Sequence, residues 1–279
     1  MSVYNLGNRR STGNRRPSPL FLLFVAITAA GGALAWTVTA QGSVLGNVGV
    51  TIFVLGGWVV SVCFHEFAHA YAAYRAGDRS VEAAGYLTLN PFKYAHPVLS
   101  IVLPLFFIIQ GGIGLPGGAV YLHRHAFRSR AMQSVAAAAG PLTNIVLGVV
   151  LLILAKSHIG DLGLYLSGGV SPDNHARFWS GVAFLGFLQI TAAVLNLLPI
   201  PGLDGYAIIE PYLDPQTQQY GDRVKPWGML GVIVLLIVFD PLNAAFFDLV
   251  DYLSGLTGTN ELLWQAGRTF FQFWEKPAL

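Results

Sequence analysis

The 279-residue chain has one cysteine, Cys63, and few charges, with Asp, Glu, Lys and Arg making up 11% of it. A single cysteine excludes an intrachain disulfide and any zinc site built on several thiolates. The charged share is less than half of the roughly 25% usual in soluble domains. Net charge is only +2, and no basic stripe with interleaved aromatics occurs, which excludes nucleic acid as a partner. No loop is long enough for a soluble domain of its own, and no internal repeat is visible. The chain is instead 54% hydrophobic, gathered into several long apolar runs, so lipid is the solvent the composition points to. Cys63 lies inside one of these runs and reads as buried packing.

The run over 48–73 contains His65-Glu66-Phe67-Ala68-His69, an H-E-x-x-H pattern. Positions i and i+4 share a helix face, so both imidazoles can reach one metal ion, and neutral histidine nitrogens suit zinc. Glu66 stands beside them as a general base able to take a proton from water. Ionisable groups are costly at membrane depth, so their presence here is itself a functional signal. The alternative, a helix carrying two satisfied histidines, leaves the burial of Glu66 unexplained.

The chain divides into three regions. Residues 1–19 form a polar basic tail with Arg9, Arg10, Arg15 and Arg16, expected in the cytoplasm. Residues 20–247 form the membrane domain, with its core at 48–206, and 248–279 an amphipathic tail expected to lie on the membrane. Apolar spans are expected near 20–40, 48–73, 132–155, 178–198 and 227–247. The first also resembles a secretory signal with a small-residue cleavage site at Ala33-Leu34-Ala35, though it stays apolar through Trp36 and Val38 and reads as a retained span. Residues 79–90 partly alternate and suggest a short strand or hairpin. Thus the expected class is an all-α polytopic membrane protein of about five transmembrane helices, with a small β element and a broken segment at 97–115.

Catalytic zinc usually has three protein ligands, and the pentapeptide supplies two. Asp204 follows a span in the Pro/Gly-rich segment Pro199-Ile200-Pro201-Gly202-Leu203-Asp204-Gly205 and is the leading third ligand. Asp240, before Pro241, is its rival. At this point the chain resembles the site-2 protease family of intramembrane zinc metalloproteases, in the short form without a PDZ or nucleotide-sensing domain. The residues that carry the resemblance are His65 to His69, Thr88-Leu89-Asn90-Pro91, Ala139-Gly140-Pro141-Leu142-Thr143-Asn144, and the run from Asn196 to Gly205. They occur in the family's order. The resemblance implies zinc held by His65, His69 and Asp204, Glu66 as catalytic base, and Asn144 and Asn196 close to substrate or oxyanion. For the two asparagines, helix–helix hydrogen bonding is an equal alternative. Tyr206 stands where many relatives have a second glycine after Asp-Gly, and His96 where some carry an acid.

Parity then bears on 97–115. For Asp204 to reach the metal of His65 and His69, that segment must enter and return, which its Pro/Gly density suits. The implied activity is cleavage of a transmembrane protein substrate within the bilayer of a prokaryotic plasma membrane, the site toward the cytoplasm. Membrane lipid and a regulatory partner in trans are the other expected partners. A strand at 86–90, with a second at 118–121, would allow β-augmentation of an unwound substrate. A catalytically silent helix-binding protein or a metal-binding transporter-like protein is the alternative class. Intact Glu66 argues against the first, and the scarcity of ionisable groups along the spans against the second. A prenyl-protein-type protease would not predict the Leu-Asp-Gly segment. His123 and His125 read as exposed loop, and His96, His158 and His175 as loop residues without an evident partner.

Overall fold

The structure, a computed structural model, describes residues 16–93, 108, 126–169, 171 and 174–274. Among them the chain is all-helical. Helix α1 is Pro19–Thr37, α2 Val44–Ala76, α3 a single turn at Ser80–Ala83, α4 Arg130–Ala155, α5 Ile159–Leu166 and α6 Ala176–Asn196. They are followed by α7 (Asp204–Ile209), α8 (Pro215–Val238), α9 (Asp240–Gly255) and α10 (Glu261–Phe271). Four stretches are long and apolar enough to cross a membrane: α1, α2, α4 continued through α5, and α6. Helices α8 and α9, bent by 102°, give a fifth if counted as one span. Phe239 interrupts the pair, and Pro241 is placed in the first turn of α9, where its missing N–H costs nothing.

Helix α6 is the centre of the bundle, apolar all round and buried over nearly its whole length. Small residues let its neighbours approach. Gly148 of α4 and Gly186 of α6 face each other so closely that a Cβ on either would come within 3.1 or 3.2 Å of the other's carbonyl oxygen. Along the α1–α2 seam, Gly31 abuts the backbone of Phe53 and Gly49 that of Ala35.

Hydrogen bonds give the helix directions. Arg177, at the start of α6, reaches Asn47 at the start of α2 and the carbonyls of Val38 and Ala40 after α1. Helices α2 and α6 therefore run in parallel, with α1 antiparallel to both, its Phe21 ring against Phe64. Helix α4 is antiparallel to α2, since Ala136 faces His69 and Asn144 faces His65. The end of α2 and the approach to α4 meet directly, Arg128 N–H donating to the Ala76 carbonyl at 3.2 Å. The end of α2 and the start of α4 thus lie at the same end of the bundle. Apart from Ile108, the segment 97–115 lies outside the described residues, as do the strand expected at 118–121, His96, His123 and His125, and the tail over 1–15.

Three expectations need correction. The strand expected within 79–90 is absent from the described residues. Asp78 instead accepts from the Ser80 N–H and hydroxyl and starts the turn of α3. Gly85 (φ +80°) and Leu89 (φ +55°) then bracket a 3-10 turn at Tyr86–Thr88, and two left-handed residues within five break any extended run. The tail over 261–271 is an amphipathic helix, but its apolar face packs on the protein. Leu263, Trp264, Gly267, Phe270 and Phe271 are buried, and a side chain at Gly267 would strike the Ser180 carbonyl of α6. Lastly, His158 and His175 both have partners. His158 stacks on Trp179 and pairs with Asp161, while His175 stacks on Trp36 and its Nδ1 lies 3.0 Å from the Trp36 carbonyl.

Candidate active site

His65 and His69 sit two-thirds of the way along α2 and are buried, at 5% exposure each, with Glu66 at 1%. One helical turn brings their Nε2 atoms within 3.0 Å of each other. Their outer nitrogens are held from α4. His69 Nδ1 lies 2.7 Å from the Ala136 carbonyl, which can only accept, so the proton is on Nδ1 and the Nε2 lone pair is available. His65 Nδ1 lies 3.3 Å from Asn144 Oδ1, which holds this imidazole in the same way. Asn144 therefore supports a histidine. Between the two rings α4 has Gly140, where any Cβ would collide with both Nε2 atoms. The Ala-Gly-Pro-Leu-Thr-Asn segment thus lets α4 close over the histidines while leaving room between them.

Asp204 arrives from the loop after α6. Leu203 is extended, and Asp204 opens α7. The loop folds tightly: Gly202 adopts φ +101°, a left-handed conformation in which a side chain would also strike the Lys225 carbonyl of α8. Gly205 lies flush on the Leu197 carbonyl at the end of α6. Ser134 of α4 donates to the Ile208 carbonyl at 2.6 Å, and buried Glu210 accepts from Lys225 Nζ at 2.6 Å. Tyr206, in place of the expected glycine, is buried against Gly221 of α8. These ties bring Asp204 Oδ2 to 3.3 Å from His65 Nε2 and 3.4 Å from His69 Nε2.

The three side chains offer ligand atoms within 4.8 Å of one another, the only such group found among the described residues. Two ligands at 2.0–2.1 Å from a tetrahedral zinc stand about 3.3 Å apart. The separations of 3.0, 3.3 and 3.4 Å match that edge, so the donor set fits zinc in both type and spacing. Glu66 Oε2 is buried with no hydrogen-bond partner, as a proton acceptor awaiting its donor would be. The rival Asp240 is exposed at the start of α9, outside this group. Cys63 is fully buried beside Ala70 in a small apolar cluster, as expected.

Asn196 ends α6 and lines a small cavity with His65 and Asn144. Its Nδ2 has no partner. Sequence reasoning missed Gln189, two turns earlier on the same face of α6 and also unpaired. The signal was present as an amide i, i+7 pair, Gln189 and Asn196, inside a mostly apolar helix. It also missed Ser134, Glu210 and Lys225, which hold the Asp204 loop.

Residues 52–239 match the family described as Peptidase family M50. The chain is 51% identical over 259 residues to "Putative zinc metalloprotease Rip2" of Mycolicibacterium smegmatis, covering 93% of this chain and 95% of that protein. It is 45% identical over 266 residues to the protein of the same name from Mycobacterium tuberculosis, covering 94% and 97%. With "Putative zinc metalloprotease YwhC" of Bacillus subtilis it shares 32% identity over 183 residues, covering 64% and 77%. No solved structure gives a significant match. With its H-E-x-x-H helix and apolar bundle, the chain belongs to peptidase family M50, the site-2 protease family, as a multi-pass zinc metalloprotease.

Proposed function

We propose that this protein is an intramembrane endopeptidase that hydrolyses a peptide bond in the membrane-spanning segment of another protein. The observation that carries this reading is the convergence of His65, His69 and Asp204 beside buried Glu66, inside a bundle whose helices are apolar enough to cross a bilayer. His65, His69 and Asp204 would hold the zinc, and the bound ion would supply a Lewis acid for the scissile carbonyl and a lowered pKa for water. Glu66 accepts the proton of the attacking water and returns it to the leaving amine. Asn196, with its amide N–H groups uncommitted, donates to the oxygen on which negative charge develops. Asn144 is committed to His65 and acts by holding that ligand.

The charge distribution favours a cytoplasmic site. Arg16, Arg75, Arg79, Arg128, Arg130 and Arg223 gather at the metal end of the bundle, while the opposite end has Lys156, Arg268 and the buried Arg177. By the positive-inside rule the metal end faces the cytoplasm, and the relatives' organisms make a prokaryotic plasma membrane the natural host.

The test is metal content and cleavage by detergent-purified protein, wild type beside Asp204→Ala and Glu66→Ala. Wild type and Glu66→Ala are expected to hold about one zinc per chain and Asp204→Ala to lose it. Cleavage of a single-span reporter in vesicles should fall by about 10²–10⁴-fold in Glu66→Ala. Zinc retained without Asp204 would sink the ligand assignment. A zinc-loaded wild type that cuts only water-soluble peptides would sink the intramembrane reading.

A further inference from the structure

Trp58, Ser61 and His65 lie on one face of α2, and Gln189 and Asn196 on the facing side of α6. With Asn144 they line a common cavity. Because α2 and α6 run in parallel, Trp58 and Gln189 lie two turns deeper in the bundle than His65 and Asn196. Gln189 is fully buried, and both its amide oxygen and nitrogen lack partners, whichever way the amide is turned. Asn196 Nδ2 and Trp58 Nε1 are buried and unpaired as well. Buried polar atoms are rarely left so. The residues that carry these unpaired groups line one small space. The cavity measures about 10 Å³, at the lower limit for a single water and far below what a peptide segment or lipid headgroup needs. Size and polarity together select the ligand class.

We propose that this pocket is a binding site for one water molecule on the membrane-interior side of the metal centre. The water accepts from Asn196 Nδ2 and Trp58 Nε1 and donates to Gln189 Oε1, satisfying groups that no protein atom reaches. Gln189 is thereby a positioning residue, aiming the Asn196 amide through the water. That role rests on the reading of Asn196 as facing substrate, whereas the site itself does not.

Hydroxyl-radical labelling by X-ray pulses on resting, zinc-loaded protein tests the site directly, because a side chain beside bound water is oxidised even when buried. Trp58, only 2% exposed, should be labelled in wild type, with fully buried Cys63 unlabelled as the internal control. Labelling should be lost in Gln189→Leu or, if that variant does not fold, in its linear counterpart Gln189→Met, and kept in Gln189→Asn. Either apolar variant should keep its zinc and its KM while kcat falls about ten-fold, with partial recovery in Gln189→Asn. An unlabelled Trp58 in wild type overturns the site. Equal labelling in wild type and the apolar variants, or loss of zinc in them, overturns the role of Gln189. The labelling uses no substrate, so failure of the intramembrane reading would leave it standing.

Discussion

Both histidines at the centre are held by identifiable neighbours on α4, and those neighbours make the sharpest predictions. Gly140 is the tightest. A methyl group there would occupy the space between the two Nε2 atoms, so Gly140→Ala should either expel zinc or push α4 off α2. Overpacking of this kind costs about 1–3 kcal/mol. Metal analysis together with thermal unfolding would show both effects, and a zinc-loaded variant of unchanged stability would contradict the geometry. Asn144→Leu removes the partner of His65 Nδ1 while roughly keeping volume. Its expected effect is a 10–100-fold loss of zinc affinity, read by competition with a chelator. Both residues were legible in the sequence as part of the Ala-Gly-Pro-Leu-Thr-Asn motif. The close approach that Gly140 permits was legible too, but the partner of Asn144 was not, because which nitrogen it meets depends on how α4 lies against α2.

Among the elements, the turn between α1 and α2 depends on one buried guanidinium. Arg177 is 2% exposed and donates to two backbone carbonyls, Asn47 and the Tyr165 hydroxyl. Its ring contacts with Tyr165 and Phe270 tie in α5 and α10. Replacing it by methionine would orphan the Val38 and Ala40 carbonyls and should destabilise the bundle by on the order of 3 kcal/mol. Arg177→Lys should recover only part of this, since an ammonium cannot fork. Unfolding in detergent would measure the difference. Helix α10 shows how far periodicity reaches. Its amphipathic spacing foretold the helix but not what covers it. Gly267, unremarkable in the sequence, lets α10 lie directly on Ser180 of α6. In the same way, 79–90 alternates well enough to suggest a strand. The local bonds from Ser80 to Asp78 and the left-handed Gly85 and Leu89 turn it into short helical pieces instead.

At the scale of the whole molecule, the helix directions make a topological prediction. The end of α2 and the start of α4 share the metal end, and the α5–α6 connection lies at the other. The native cysteine is fully buried, so single-cysteine reporters can be added to the unaltered chain. A membrane-impermeant maleimide should reach Arg130→Cys only from the cytoplasmic side and Ser167→Cys only from the opposite side. Labelling of both from one side would break the assignment of directions and the parity argument with it.

The sequence by itself determined the chemistry and the solvent. Low charge and long apolar runs point to a bilayer, and the i, i+4 histidines with their adjacent glutamate point to metal-assisted hydrolysis, because each is read from local sequence without any long-range contact. Asp204 was legible as the third candidate ligand from its Pro/Gly loop at the end of a span together with the family resemblance, and the three side chains do converge. Only the tertiary structure decided what depends on contact between helices far apart in the chain. It joined Asp204 to α2, gave Asn144 to His65, turned α10 inward, and set Gln189 beside Asn196 and Trp58. Packing between helices depends on where small residues permit approach and how the rods are rotated, and neither is written in the period of any one helix.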